Sequence, residues 1–378
     1  MKRIVLAGLT RYENYGDQFI YRSLSYLLSN MNEQIEILEL DFESTRSSAN
    51  SLTSRLLHKA ARVFNSADLE LKSLKRKHRK AYEAVISKAD GIIFACGSFK
   101  YGTQKLWAYY SLVIDIAKKH HVPVMFDAMN VQKFDGNNRK CMILKQHLNE
   151  PIVTWFTSRD GEDGVKRLRE SYVTNPLLKT AAAGDPAFHL SEVFQNITPK
   201  KRDVIGVNLL KGENFRKYGK KMSEEEVADC YGIFLKHLEE DGIPYELFTN
   251  GLKSDREFGE KIVRKYDLKY PQIIVPQSAE DLVRIITSYR AILGGRLHAC
   301  ICAYAFDIPL VSFLWDDKML YFAKMAKWEP YFLAEEEFNG DRLYETLKSV
   351  MNKEYDKENR EYWKKETRRT LREFMDSI

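Results

Sequence analysis

The chain predicts an α/β protein with two parallel sheets, and three observations carry that expectation. Short apolar runs of strand length, such as Ile4–Ala7, Gly91–Phe94 and Ala291–Leu293, alternate with longer segments whose apolar residues recur every three to four positions. Strands that alternate with helices pair in parallel through right-handed crossovers. The alternation breaks at the polar stretch Thr198–Asp203 and restarts at Val204, and the 378 residues exceed the roughly 250–300 at which a single core stops growing. Two Rossmann-like domains facing across a cleft are therefore expected. The first covers 1–198 and the second 199–350, with 351–378 forming a charged C-terminal helix that returns to the first domain on Tyr362, Trp363, Leu371 and Phe374.

Composition narrows the class. With 44% hydrophobic and 30% charged residues the chain reads as a soluble globular protein. No apolar run reaches the roughly 18 residues of a membrane span, and Met1-Lys2-Arg3 leads straight into a strand, so a cytoplasmic location is expected. Cys96, Cys141, Cys230, Cys300 and Cys302 form no CxxC pair and read as reduced packing residues. The net charge of +6 suits an anionic substrate or an anionic membrane surface, and no nucleic-acid module is present.

Taken in order, Ile4–Ala7 leads through Asn14-Tyr15-Gly16-Asp17 into a helix with Ile20, Leu24, Leu27 and Leu28 on one face. The short polar side chains of that loop either bind hydroxyl groups or hold the turn, and Asp17 doubles as a helix cap. Between Arg55 and Lys80, nine Lys or Arg accompany an apolar stripe of Leu52, Leu56, Ala60, Val63 and Phe64. Such a stretch either rests on an anionic membrane at its inner face or faces water. Strand Gly91–Phe94 ends in Cys96-Gly97-Ser98, and Val122–Met125 ends in Asp127-Ala128-Met129-Asn130. Ile152–Phe156 runs into Ser158-Arg159-Asp160, where Arg159 is either an anion clamp or an ordinary ion pair. Gly184–Phe188 reads as a turn closing this half.

The second half alternates strand Val204–Leu210, helix Glu224–Glu240, strand Tyr245–Thr249, helix Arg256–Tyr266, strand Ile273–Val275 and helix Glu280–Tyr289, the last started by Ser278 and Asp281. It ends in the stretch on which the functional reading turns, Gly294 to Lys318. Here strand Ala291–Leu293 meets the Gly294-Gly295 turn, a small-residue helix Leu297–Tyr304, strand Pro309–Phe313 and a loop Asp316-Asp317-Lys318. Glycines at the carboxyl end of a strand let a ligand approach the backbone, and the helix start that follows favours an anion. Arg296, His298 and Lys318 add cations to the same rim.

Arg296-Leu297-His298, followed twenty residues on by Asp317-Lys318 with a helix and strand between, resembles the polysaccharide pyruvyltransferase family. The resemblance extends to Asn14-x-Gly16-Asp17, to Arg159-Asp160 and to Gly184-Asp185. This chain departs from the family where it keeps only Gly97 of a glycine pair and where Asp127–Asn130 replaces a glycine-rich loop. The resemblance implies a glycosyltransferase-B-like architecture and transfer of pyruvate from phosphoenolpyruvate to a sugar of a surface polysaccharide or exopolysaccharide precursor, with a ketal formed and phosphate released. It assigns the donor to Arg159, Arg296, Lys318 and the Gly294-Gly295 backbone, and acid/base work or a phosphate contact to His298. The acceptor, a glycan or lipid-linked saccharide, falls to Asn14, Gly16, Asp17, Ser98 and Asn130 on the first domain.

No metal is required by that scheme, and no HExxH, DxD loop or Cys/His cluster is present. A dinucleotide fingerprint is absent after Ile4–Ala7, so phosphoenolpyruvate enters as a substrate and no cofactor is expected. Two other readings remain: a nucleotide-sugar-dependent glycosyltransferase on the same scaffold, and a non-catalytic glycan-binding protein.

Overall fold

The computed structural model of the chain describes residues 1–31, 33–42, 66–102, 105–198 and 200–378. It divides into two compact units. The first comprises Met1–Tyr12, Ile20–Asp185 and Trp363–Ile378, and the second Glu13–Phe19 and Pro186–Tyr362. The main boundary thus falls at Asp185/Pro186 instead of 198, and the loop after the first strand belongs with the second unit.

In the first unit β1 (Lys2–Gly8) leads to α1 (Tyr15–Ser29), β2 (Ile35–Asp41), α2 (Ala67–Ile86), β3 (Gly91–Ala95), the short β4 (Ser98–Phe99), α3 (Leu106–His120), β5 (Val124–Val131), α4 (Arg139–Leu148), β6 (Val153–Ser158), α5 (Gly161–Ser171) and β7 (Lys179–Ala182). Every strand pair is parallel, in the order β2-β1-β3-β5-β6-β7 with β4 against β5. Strand alternation sends successive side chains to opposite faces. Ile4 and Leu6 accordingly join Ile93, Leu24 and the Leu371, Phe374 and Met375 side chains of the C-terminal helix in one cluster. Val5 and Ala7 join Ile92, Phe94, Tyr82 and Ile114 in the other. A parallel sheet covered on both faces needs such continuous apolar strands, and these supply them.

The second unit carries β8 (Ile205–Asn208), α6 (Glu224–Glu240), β9 (Tyr245–Phe248), α7 (Lys253–Tyr266), β10 (Ile273–Ile274), α8 (Ala279–Thr287), β11 (Ala291–Gly294), α9 (Leu297–Ala305), β12 (Leu310–Phe313), α10 (Asp317–Met325), β13 (Phe332–Leu333) and α11 (Gly340–Val350), while the terminal α12 (Lys357–Asp376) ends in the first unit. Its sheet is also parallel, ordered β10-β9-β8-β11-β12-β13. Strand order therefore reverses between β8 and β11, the place where open α/β sheets bind ligands at their carboxyl ends. Ser223 and Glu226 close a reciprocal capping box that starts α6, and Ser278 caps α8 through the Asp281 amide.

The apolar stripe Leu52–Phe64 lies outside the described residues. The described remainder of the basic stretch is α2, whose Leu71, Leu74, Tyr82 and Ile86 are already engaged in the first unit's core. Among the described residues no helix is long and apolar enough to cross a membrane. All five cysteines are buried free thiols.

Candidate functional site

At the carboxyl edge of the second sheet, Arg296 is the cap residue of α9, with extended backbone (φ −102°, ψ 139°). The first intrahelical bonds come from Ala299 and Cys300 to its carbonyl, so the amides of Leu297 and His298 open the helix and present its positive dipole end. The Arg296 amide donates to Asn208 Oδ1 at 2.8 Å, tying α9 to the end of β8, and Asn208 Nδ2 in turn donates to Asn250 Oδ1 at 3.0 Å.

The Arg296 fork is closed on a carboxylate. Its Nε and Nη2 donate to the two oxygens of the fully buried Asp255 at 2.8 and 2.7 Å, and the Lys211 amide donates to the same Asp255 at 3.0 Å. Burial works against the guanidinium charge, but Asp255 outweighs it and holds the Arg296 pKa above its ordinary value. Lys318 is on the first turn of α10, not in a loop, because Asp316 caps that helix. Its Nζ lies 3.5 Å from Asp316 Oδ2 and 4.4 Å from the centre of the Trp315 ring. Tyr218 lies edge-on to Trp315, at 5.1 Å between ring centres, with Lys318 Nζ 5.8 Å above its own ring. Burial and then the Asp316 charge push its phenol up to about 12, while the Arg296 charge pulls the other way.

Gly294 and Gly295 are held tightly in the packing of the second unit. A Cβ on Gly295 would sit 2.5 Å from the Asn208 carbonyl oxygen and one on Gly294 2.4 Å from Cys300 Sγ. Their carbonyls accept from Trp315 Nε1 at 2.9 Å and from Ser312 Oγ at 2.6 Å.

The Asn14-x-Gly16-Asp17 loop, expected on the first domain, lies within the second unit beside His298. The Tyr15 amide donates to the Asn250 carbonyl at 2.9 Å and its hydroxyl to the Gln277 carbonyl at 3.0 Å. Gly16 fits so closely that a Cβ there would be 2.6 Å from His298 Cβ and 3.1 Å from Asn250 Nδ2. Asn14 Oδ1 accepts from the Gly16 amide at 3.3 Å, Asn14 Nδ2 donates to Asp17 Oδ2 at 3.2 Å, and Asp17 Oδ1 faces His298 Nδ1 at 3.7 Å. His298 itself is 6% exposed.

The first unit has its own polar edge. Arg159 follows β6 and pairs with Asp185, both buried, so Asp185 is its counter-ion and not Asp160 or Glu162. Arg159 Nε is buried and has no hydrogen-bond partner among the described residues. Gly97, at φ +61°, passes so close that a Cβ would be 2.6 Å from the guanidinium. Asn130 gives its amide to both oxygens of Asp160 at 2.8 and 3.0 Å, which makes it a support for that carboxylate. Ser98 pairs in register with Asn130, and its carbonyl accepts from Tyr110 at 2.7 Å. Between Phe126 and Met129 the β5–β6 register slips, and Ala128 takes a positive φ of 47°. The bulge buries Asp127, whose Oδ1 accepts from Thr157 at 3.1 Å while Oδ2 has no partner among the described residues. Burial, aided by the Asp185 charge, pushes that carboxyl up to about 7.

The structure therefore brings Asn14, Gly16, Asp17, Gly294, Gly295, Arg296, His298 and Lys318 into one unit and leaves Ser98, Asn130 and Arg159 in the other. Asp255, Asn208, Asn250, Tyr218 and Asp127 escaped the sequence reading. Only Asp127 carried a signal, a charged residue inside an apolar strand run.

Two units with wholly parallel sheets place the chain in the glycosyltransferase-B-like α/β class. The UDP-GlcNAc 2-epimerase of Methanocaldococcus jannaschii superposes with a TM-score of 0.59 at 14% identity over 99% of both chains. The UDP co-structure of S. aureus MnaA gives 0.57 at 13% identity over 93% of this chain and 88% of that one. The trehalose 6-phosphate synthase of Burkholderia multivorans gives 0.51 at 8% identity, over 98% and 93%. At such identities the likeness is one of fold. No curated protein matches the sequence. The polysaccharide pyruvyl transferase family model matches residues 14–317, and the chain belongs to that family.

Proposed function

We propose that the protein transfers pyruvate from phosphoenolpyruvate to two hydroxyls of a sugar in a surface polysaccharide or its precursor. The observation that carries this reading is His298 at the start of α9, at the strand-order reversal of the second sheet, in a chain of the pyruvyl transferase family. The balance requires one proton to be added to the methylene carbon of the enol ester. Two sugar oxygens then bond to its neighbour, the bond from that carbon to the phosphate oxygen breaks, and phosphate leaves with the second hydroxyl proton. His298 is suited to moving these protons near neutral pH. Lys318 and the first-turn amides of α9 meet the phosphate charge. Arg296 supports them by holding the α9 start against β8. No cofactor enters this scheme.

A second reading, a nucleotide-sugar-dependent glycosyltransferase, is favoured by one observation: among the matched structures S. aureus MnaA holds UDP. Calorimetric titration separates the two. Phosphoenolpyruvate should bind the native protein, and Lys318→Ala should weaken it at least about tenfold. Binding of sugar nucleotides with no response to phosphoenolpyruvate would sink the first reading.

A further inference from the structure

Asp17 of the Glu13–Phe19 loop is set against a ring nitrogen of His298, Oδ1 to Nδ1 at 3.7 Å. The other charged groups of this edge are paired among themselves, Arg296 at the α9 start with Asp255 of α7 and Lys318 of α10 with Asp316, and the Tyr218 phenol feels the charges of Asp17, Arg296 and Asp316 alike.

The segment that brings it there is built for the purpose. Gly16 is packed so tightly on His298 Cβ that no side chain fits, and Tyr15 is bonded at both its amide and its hydroxyl. Gly251, at φ +108°, lies beneath the loop, where a Cβ would be 2.3 Å from the Glu13 carbonyl oxygen. Asn14 then takes the other carboxylate oxygen, so one Asp17 oxygen is held and the other is turned to the imidazole. A carboxylate at one imidazole nitrogen selects the tautomer that carries a proton there and leaves the far nitrogen to exchange protons with substrate.

We propose that Asp17 is the positioning residue of His298, with Asn14 holding Asp17: the carboxylate fixes the proton on Nδ1 and directs Nε2 to the reacting proton. The proposal rests on the acid/base reading of His298, but its test needs no substrate.

In the unmodified protein above the His298 titration, long-range proton–nitrogen NMR should show Nδ1 protonated and Nε2 bare. The opposite tautomer would overturn the proposal, whatever the donor proves to be. In turnover assays Asp17→Asn should lower kcat about 10- to 100-fold with the KM for phosphoenolpyruvate little changed. The limb of the pH profile set by His298 should move down, because the carboxylate facing the imidazolium is gone. Asn14→Ala should give a smaller loss of the same kind. A loss confined to KM, or a pH profile that does not move in Asp17→Asn, would assign Asp17 to substrate contact instead. Absence of phosphoenolpyruvate turnover in the native protein would defeat the proposed function and leave the tautomer result standing.

Discussion

The two units end their sheets in the same kind of pair, an arginine on a buried aspartate, yet the pairs are finished differently. In the second unit Asp255 receives both edge donors of Arg296 and the Lys211 amide as well, so carboxylate and guanidinium are satisfied by the protein itself. In the first, Arg159 reaches Asp185 through one nitrogen, its Nε is left over, and a second carboxyl, Asp127, is buried close enough for the Asp185 charge to act on it. The Arg296 partner lies 41 residues away on another helix, so no motif around Arg296 shows it.

The most severe way to probe the contrast is to remove the carboxylates. Asp255→Ala should destabilise the second unit by about 3–5 kcal/mol, because it strands a buried guanidinium that had two bonds, while Asp185→Ala should cost less. Urea unfolding of the two variants measures both, and equal losses would erase the distinction.

The next test concerns the proton on Asp127. Its folded pKa of about 7 is raised above the ordinary carboxyl value, so the native state holds a proton that the unfolded chain has lost. The stability this contributes is fully present below the unfolded pKa, about 4, and is lost as pH rises toward 7, at up to about 1.4 kcal/mol per pH unit. Asp127→Asn should flatten the unfolding free energy across that window in urea titrations at successive pH values. A slope unchanged from the native protein would show that Asp127 is ionised in the fold.

The smallest effect belongs to the glycines. Gly295→Ala drives a methyl into the Asn208 carbonyl and should cost about 1–3 kcal/mol of thermal stability, whereas Gly219→Ala meets no atom within 4 Å and strains only its positive φ of 83°. Thermal melts of the two variants rank them, and a milder Gly295→Ala would return that glycine to a ligand-facing role.

Much of the fold was legible. Helix 224–240 was expected at the limits it takes, and strands 35–40, 91–94, 245–249 and 291–293 fell within a residue or so of their observed ends. Those segments are long or continuously apolar, and their periodicity is a local property. The elements missed are short or weakly patterned, such as β4, β7 and β13, or were read as loop, as at α10, where the Asp316 cap starts a helix.

What the sequence determined by itself was therefore the α/β alternation, the two-part division and the motif residues around Arg296-Leu297-His298, because each depends on neighbours along the chain. Only the tertiary structure decided that Asp17 faces His298 and that Asp255 closes on Arg296. Those are pairings across 281 and 41 positions of the chain. No local pattern encodes them: they follow from strand order, which carries the ends of distant strands to one edge, and from a glycine at position 16 whose missing side chain lets a loop close on a histidine.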